Sequence, residues 1–153
     1  MATGFETTHM LLTPLSSDDA AEIFAYRVDP QVARYQGFVP GTLADVVDFI
    51  ESSDASGPVV EDAWRQFGMH LRDSGLLVGD LGFRLLGFRL PAGMPRQAEI
   101  GITLAPGHQG RGLAMEALFA VMDYLFGDLG MHRVFASADP RNMRSIALLS
   151  RVG

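Results

Sequence analysis

Residues 103–116 read Thr-Leu-Ala-Pro-Gly-His-Gln-Gly-Arg-Gly-Leu-Ala-Met-Glu. A strand-like run from Glu99 to Leu104 stops at Ala105-Pro106, passes Gly107, Gly110 and Gly112, and enters a run with helical period. A strand, a glycine-rich turn and a helix start make an anion site, because the first backbone N–H groups of a helix have no partner inside it. The helix dipole alone contributes only about 0.3–1 kcal/mol. Tight binding therefore needs several N–H groups on one ligand, each charge-assisted bond adding roughly 1.5–3 kcal/mol. Gly110 and Gly112 leave room for that approach. Arg111, with no acidic neighbour downstream until Glu116, adds positive charge, and a diphosphate fits better than a lone phosphate. Taken alone, the pattern also suits a plain strand-to-helix connection. It is not a dinucleotide-binding fingerprint, because Met115 stands where the third glycine belongs and antiparallel strands precede it.

The elements that must position this turn are legible from periodicity. His9–Leu15 reads as a short strand. Ser16, with Asp19 three residues on, opens a helix through about Arg27, and Thr42 with Asp45 repeats that capping signal. Leu43, Val46, Val47 and Ile50 then fall at helical spacing. In the run 63–73, Phe67, Met69 and Leu71 alternate onto one face, and Asp73-Ser74-Gly75 turns the chain into a second strand over 76–90. Gly79, Gly82 and Gly87 in that strand suggest bulges or close backbone approach, and Pro91–Pro95 makes the next turn. Three consecutive strands are expected to pair antiparallel. Beyond the glycine turn, Ala114, Ala117, Leu118, Val121 and Leu125 form an apolar stripe on a helix to about Phe126, ended by Gly127 or Gly130. His132–Ala138 is a compact strand, and Asn142 caps a last helix. The order β-α-α-β-β-β-α-β-α predicts one α/β domain over 1–153, with a mixed, mostly antiparallel sheet flanked by helices.

Composition narrows the chemistry. The 153 residues contain no cysteine, which removes thiolate nucleophiles and Cys-ligated zinc, and all twelve basic residues are arginine, which removes Schiff-base and Walker-type lysine chemistry. The net charge of −6 opposes nucleic-acid binding and suits a cationic substrate. No apolar run approaches a membrane span, and residues 1–10 lack the basic and apolar regions of a signal peptide, so a cytoplasmic address is expected. His9, His70, His108 and His132 show no ligand spacing, so no metal is expected, and His108 is read as lining the turn.

Gln109-Gly110-Arg111-Gly112-Leu113-Ala114 matches the Q/R-x-x-G-x-G/A signature of the GNAT superfamily of acyl-CoA-dependent N-acyltransferases. Residues 98–118, 129–153 and 29–38 each resemble its RimJ/RimL-type branch in the expected order. The resemblance implies that main-chain N–H groups of Gln109, Gly110, Arg111, Gly112, Leu113 and Ala114 hold the pyrophosphate of acetyl-CoA. It implies, too, that the strand ending at Ile102, Thr103 and Leu104 splays from the next and bonds the pantetheine, with Asn142 on the cofactor arm. The implied activity is acetyl transfer to a primary amine, a protein N-terminal α-amine or a small molecule, by direct attack in a ternary complex. A terminal α-amine (pKa about 7.7–8.0) is roughly a tenth neutral at pH 7, whereas a lysine amine is about three units, or near 4 kcal/mol, worse. Glu99 matches the position of a base, acting directly or through water. Its alternative is a carboxylate paired across the strand. A thiolate-protonating tyrosine is missing from the last helix, and Ser145 is the substitute, against purely local hydrogen bonding. A backbone amide near Thr103 is a candidate oxyanion donor.

The same resemblance places Tyr35, Gln36 and Phe38 in the acceptor pocket, where Trp64, Phe83 and Arg84 are candidates to join them. Asp80 either attracts a cationic amine or faces solvent. Relatives of this branch usually continue past Arg-Val-Gly with two more strands, which this chain lacks. Either the chain is shortened, or a second copy in a homodimer supplies the strands. The rival to an enzyme is a non-catalytic acyl-CoA-binding or regulatory domain, favoured by the missing tyrosine and strands.

Overall fold

Six strands form one sheet in strict chain order in the computed structural model, which describes residues 4–34, 38–53, 62–87, 96–109 and 111–136. The strands are β1 (Phe5–Glu6), β2 (Met10–Pro14), β3 (Arg65–Leu71), β4 (Leu77–Leu86), β5 (Gln97–Leu104) and β6 (Arg133–Phe135). Neighbours pair antiparallel from β1 to β5, and β6 returns parallel to β5 after a helical crossover. The helices are α1 (Ala20–Arg27), α2 (Pro30–Ala33), α3 (Leu43–Ser52) and α4 (Leu113–Asp123). The mixed α/β architecture expected from the sequence is the one observed. Its additions are short: the two-residue β1 and the single turn α2, which carry too few residues to show a period.

Local chemistry explains the boundaries. A 3-10 turn at Ser17–Asp19 leads into α1, with the Ser16 N–H donating to Asp19 Oδ2 at 3.1 Å. At α3 the Asp45 N–H donates to Thr42 Oγ1 at 3.3 Å and the Thr42 N–H to Asp45 Oδ2 at 3.1 Å, so that helix caps itself. Helix α4 ends earlier than its apolar stripe suggests, because a π-helical turn takes over at Tyr124–Asp128. In β4, Gly79 is required by close approach: a Cβ there would stand 2.3 Å from the Thr103 carbonyl oxygen.

The sheet separates two cores. On one face Phe67, Phe83, Leu81, Leu85 and Ile100 pack against Ala117, Leu118, Val121 and Leu125 of the α4 region. On the other, Ile23, Tyr26, Val46 and Ile50 of α1 and α3 pack with Val32, Leu15 and Leu77. Each fully buried large side chain contributes roughly 1.5–3 kcal/mol. This places the start of α4 beside the C-terminal end of β5, at one corner of the sheet.

Candidate active site

β5 is the strand on which the site is built. Its pairing with β6 covers Gln97, Ala98 and Glu99 only, among the described residues, while its pairing with β4 runs on to Leu104. The Ala105 N–H donates to the Val78 carbonyl at 2.8 Å, and Asp80 stands opposite Thr103. Because an antiparallel ladder alternates, Thr103 turns its backbone groups toward β4, and Ile102 and Leu104 turn theirs toward the side where β6 has ended. The Leu104 carbonyl on that side accepts from Gln109 Nε2 at 3.3 Å, which keeps the turn folded against the strand end. Of the three residues expected to meet a pantetheine through their backbone, Ile102 and Leu104 therefore have the orientation and Thr103 does not. The backbone amides near Thr103 that face that side are those of Ile102 and Leu104.

After β5, a 3-10 turn at Pro106–His108 carries the chain to Gly112, which adopts φ +77° as the N-cap of α4. That left-handed conformation favours glycine, and nothing lies within 4 Å of where its Cβ would be. Gly112 offers no side chain to cap α4, so the first N–H groups of that helix receive no acceptor from the N-cap residue. Leu113 itself is buried in the α4-side core. Arg111 is exposed and donates through Nη1 to His108 Nδ1 at 2.9 Å. Glu116 does not serve Arg111. It pins β1–β2 to α4, accepting from Thr7 Oγ1 at 2.7 Å and the His9 N–H at 3.1 Å, with His9 Nδ1 at 2.7 Å. Burial opposes the Glu116 charge, but these bonds prevail and hold its carboxyl below the usual range. Among the described residues the corner thus joins a helix start with a glycine N-cap, a guanidinium and a strand edge past the end of β6, which suits an extended ligand carrying a diphosphate. Coenzyme A has that form, and these residues fit it.

Glu99, Gly101 and Thr103 share the opposite face of β5, the face that α1 covers. Glu99 is opposite Arg84 on β4, and its Oε1 accepts from Arg84 Nε at 2.7 Å. Arg84 also donates to Asp62 Oδ1 at 2.8 Å and lies 5.5 Å from the centre of the Trp64 ring. Arg84, expected to touch substrate, is thus engaged by two carboxylates and an aromatic ring. Between this group and Thr103, β5 itself presents only Gly101, which is exposed, and the nearest described atoms to its absent Cβ are on the Trp64 ring, 3.9 Å away. Phe83 points to the other core and is buried there, stacked at 5.8 Å on Phe67, so it does not join the acceptor side.

Asp80 neither faces solvent nor awaits an amine. It is 2 % exposed and pairs with Arg27, Nη2 to Oδ1 at 2.7 Å and Nε to Oδ2 at 3.3 Å. The Tyr26 hydroxyl donates to the same carboxylate. Burial and the Asp80 charge push the Tyr26 hydroxyl well above the usual range, so it stays protonated and donating. Burial disfavours the Arg27 charge, and Asp80 more than offsets it. No sequence spacing signals a pair 53 residues apart. Phe38 stacks on Phe49 at 4.6 Å, and both rings line a groove with Asp45, Asp48 and Ser52. Residues 35–64 hold six of the 18 acidic residues and none of the twelve arginines, so they carry the whole net charge of −6. Tyr35, Gln36, Gly110, Asn142 and Ser145 lie outside the described residues.

Residues 9–153 match the family model described as an acetyltransferase (GNAT) domain. The uncharacterized N-acetyltransferase YoaA of Bacillus subtilis is 31% identical over 149 residues, covering 97% of this chain and 80% of the relative. The spermidine N(1)-acetyltransferase of Escherichia coli is 34% identical over 58 residues, 38% of this chain and 31% of the relative. Among solved structures, a GNAT-family acetyltransferase from Bacillus anthracis superposes with a TM-score of 0.82 at 22% identity, over 98% of this chain and 82% of that one.

Proposed function

The chain belongs to the GNAT acetyltransferase family, and from that premise we propose that it moves the acetyl group of acetyl-CoA to a primary amine in a ternary complex, within the RimJ/RimL-like branch. The observation that supports this most is the corner where Ile102 and Leu104 turn their backbone groups past the end of β6, beside the glycine N-cap of α4. Acetyl-CoA supplies the electrophilic thioester. Ile102 and Leu104 bond its pantetheine arm, and the N–H groups of residues 109–114 with the Arg111 guanidinium hold its diphosphate. Asn142 contacts the same arm.

The acceptor stands over Gly101, where β5 carries no side chain, between Glu99 and Thr103. Glu99 takes the amine proton, directly or through water, and Arg84 holds that carboxylate in place. Ser145 returns a proton to the leaving thiolate. The acidic residues of the stretch 35–64, with Asp45 and Asp48 in the Phe38 groove, favour a cationic amine or a basic N-terminal peptide, and the likeness to spermidine acetyltransferases points the same way. Tyr35, Gln36 and Phe38 form the outer wall.

Thiol release from acetyl-CoA across a panel of peptides and small amines, spermidine included, tests the reading. Glu99→Gln is expected to lower kcat by about 10²–10⁴-fold, with acetyl-CoA affinity unchanged by calorimetry. Cofactor binding without turnover on any amine would instead favour the regulatory role, and full turnover in the variant would remove Glu99 as base.

A further inference from the structure

Arg27 has no part in the roles above, yet its side chain joins several elements near the site. Its guanidinium bonds Asp80 on β4 through two nitrogens, Thr103 Oγ1 on β5 at 3.5 Å, and the Phe38 carbonyl at 3.2 Å. Its plane lies 5.5 Å from the Phe38 ring centre and 5.2 Å from that of Phe49 on α3. Stability alone explains little of this, because a buried ion pair is often no better than a well-packed apolar pair of the same volume. What an apolar pair cannot do is hold a backbone carbonyl and a threonine hydroxyl at a fixed separation. Both partners border the proposed acceptor position. Phe38 belongs to its outer wall, and Thr103 sits between the two residues whose backbone groups face the open edge of β5.

Building on the acetyl-transfer reading, we propose that Arg27, oriented by Asp80, is a positioning residue that fixes the Phe38 wall against β5 and so sets where the amine stands relative to the cofactor edge. A lysine keeps the charge but lacks the fork, so it cannot hold Asp80, Thr103 and Phe38 together. Tyr26 offers a control within the same cluster. Its hydroxyl contacts Asp80 and Arg27, so Tyr26→Phe weakens the cluster while leaving the Arg27 bonds to Phe38 and Thr103 in place.

The test compares Arg27→Lys with Tyr26→Phe in the full chain at temperatures matched for distance below each melting point. The Val39 amide belongs to the same peptide group as the Phe38 carbonyl, so its NMR shift and exchange rate report that bond directly. In Arg27→Lys the Val39 signal is expected to move and its exchange to rise about tenfold, while Tyr26→Phe stays within about twofold. With spermidine as probe amine, KM for spermidine rises about tenfold in Arg27→Lys alone, and acetyl-CoA affinity by calorimetry stays within about threefold in both. Equal Val39 behaviour in the two variants overturns the proposal, whatever the turnover. If the wild-type chain fails to bind acetyl-CoA, the acetyl-transfer reading fails instead, and the Val39 comparison alone decides whether Arg27 holds the wall.

Discussion

On the α4 side of the sheet, Phe5, Phe67, Phe83 and Tyr124 make edge and stacked contacts at 5.2–6.4 Å, with no ion pair among them. On the α1 side, Arg27, Asp80, Tyr26 and Thr103 are just as buried but joined by directed bonds. Apolar contacts are satisfied by many arrangements of about the right volume, whereas a charged fork is satisfied by one. The first face therefore supplies most of the stability. The second fixes geometry, and it is the one that carries Glu99, Gly101 and the proposed acceptor.

Three measurements can break or sharpen that contrast. The largest effect belongs to the apolar face: Phe67→Ala is expected to cost about 4 kcal/mol in urea unfolding, through a cavity at a fully buried ring. A loss below about 1 kcal/mol would show that this face collapses around the gap and does not dominate stability. Next comes Asp80→Asn, expected to cost about 3 kcal/mol because it leaves the Arg27 charge buried and unbalanced. The sharper form is the double change Arg27→Met with Asp80→Leu. Stability should return to within about 1 kcal/mol of the parent, while the Val39 amide shift and the acceptor rate do not recover. Recovery of both would erase the distinction between the two faces.

The smallest effect is electrostatic and lies at the rim of the α1 side. His70 Nε2 is 3.0 Å from Asp19 Oδ1, and the hydrogen bond to Asp19 raises the His70 pKa above its ordinary value. Folding therefore gains stability from this proton below about pH 6.5 and loses it as pH rises through the higher folded value. Burial pushes Asp19 up, but the bonds from His70 and the Ser16 N–H prevail and hold it low. Its contribution is full above about pH 4 and fades as pH falls through the lower folded value. The pair should add most between about pH 4 and 6.5, on the order of 0.5 kcal/mol after solvent screening. Melting curves against pH for the parent and His70→Gln check this; parallel curves would show the pair to be inert.

Much of the framework is written locally. The alternation of Phe67, Met69 and Leu71 places β3, the Thr42/Asp45 box starts α3, and the run from Ala114 to Leu125 places α4. The glycine turn is legible because a strand end, closely spaced glycines and a helix start are set by consecutive residues. Phe83 and Asp80 were not legible. Both lie in a strand buried on both faces, where alternation no longer separates core from surface. A cross-strand partner for Glu99 was among the sequence readings, but that the partner is Arg84 depends on strand register and not on either residue.

The amino-acid sequence by itself determined the types of the longer elements and the glycine-rich turn between β5 and α4, because each rests on contacts within a few residues. Tertiary structure alone decided that Asp80 belongs to Arg27, that Glu116 pins the first hairpin, and that Ile102 and Leu104 rather than Thr103 face the open edge of β5. Those outcomes depend on strand register and on pairs 53 and more residues apart. Burial makes an unpaired charge too costly to leave alone, and only the assembled sheet determines which partner satisfies it.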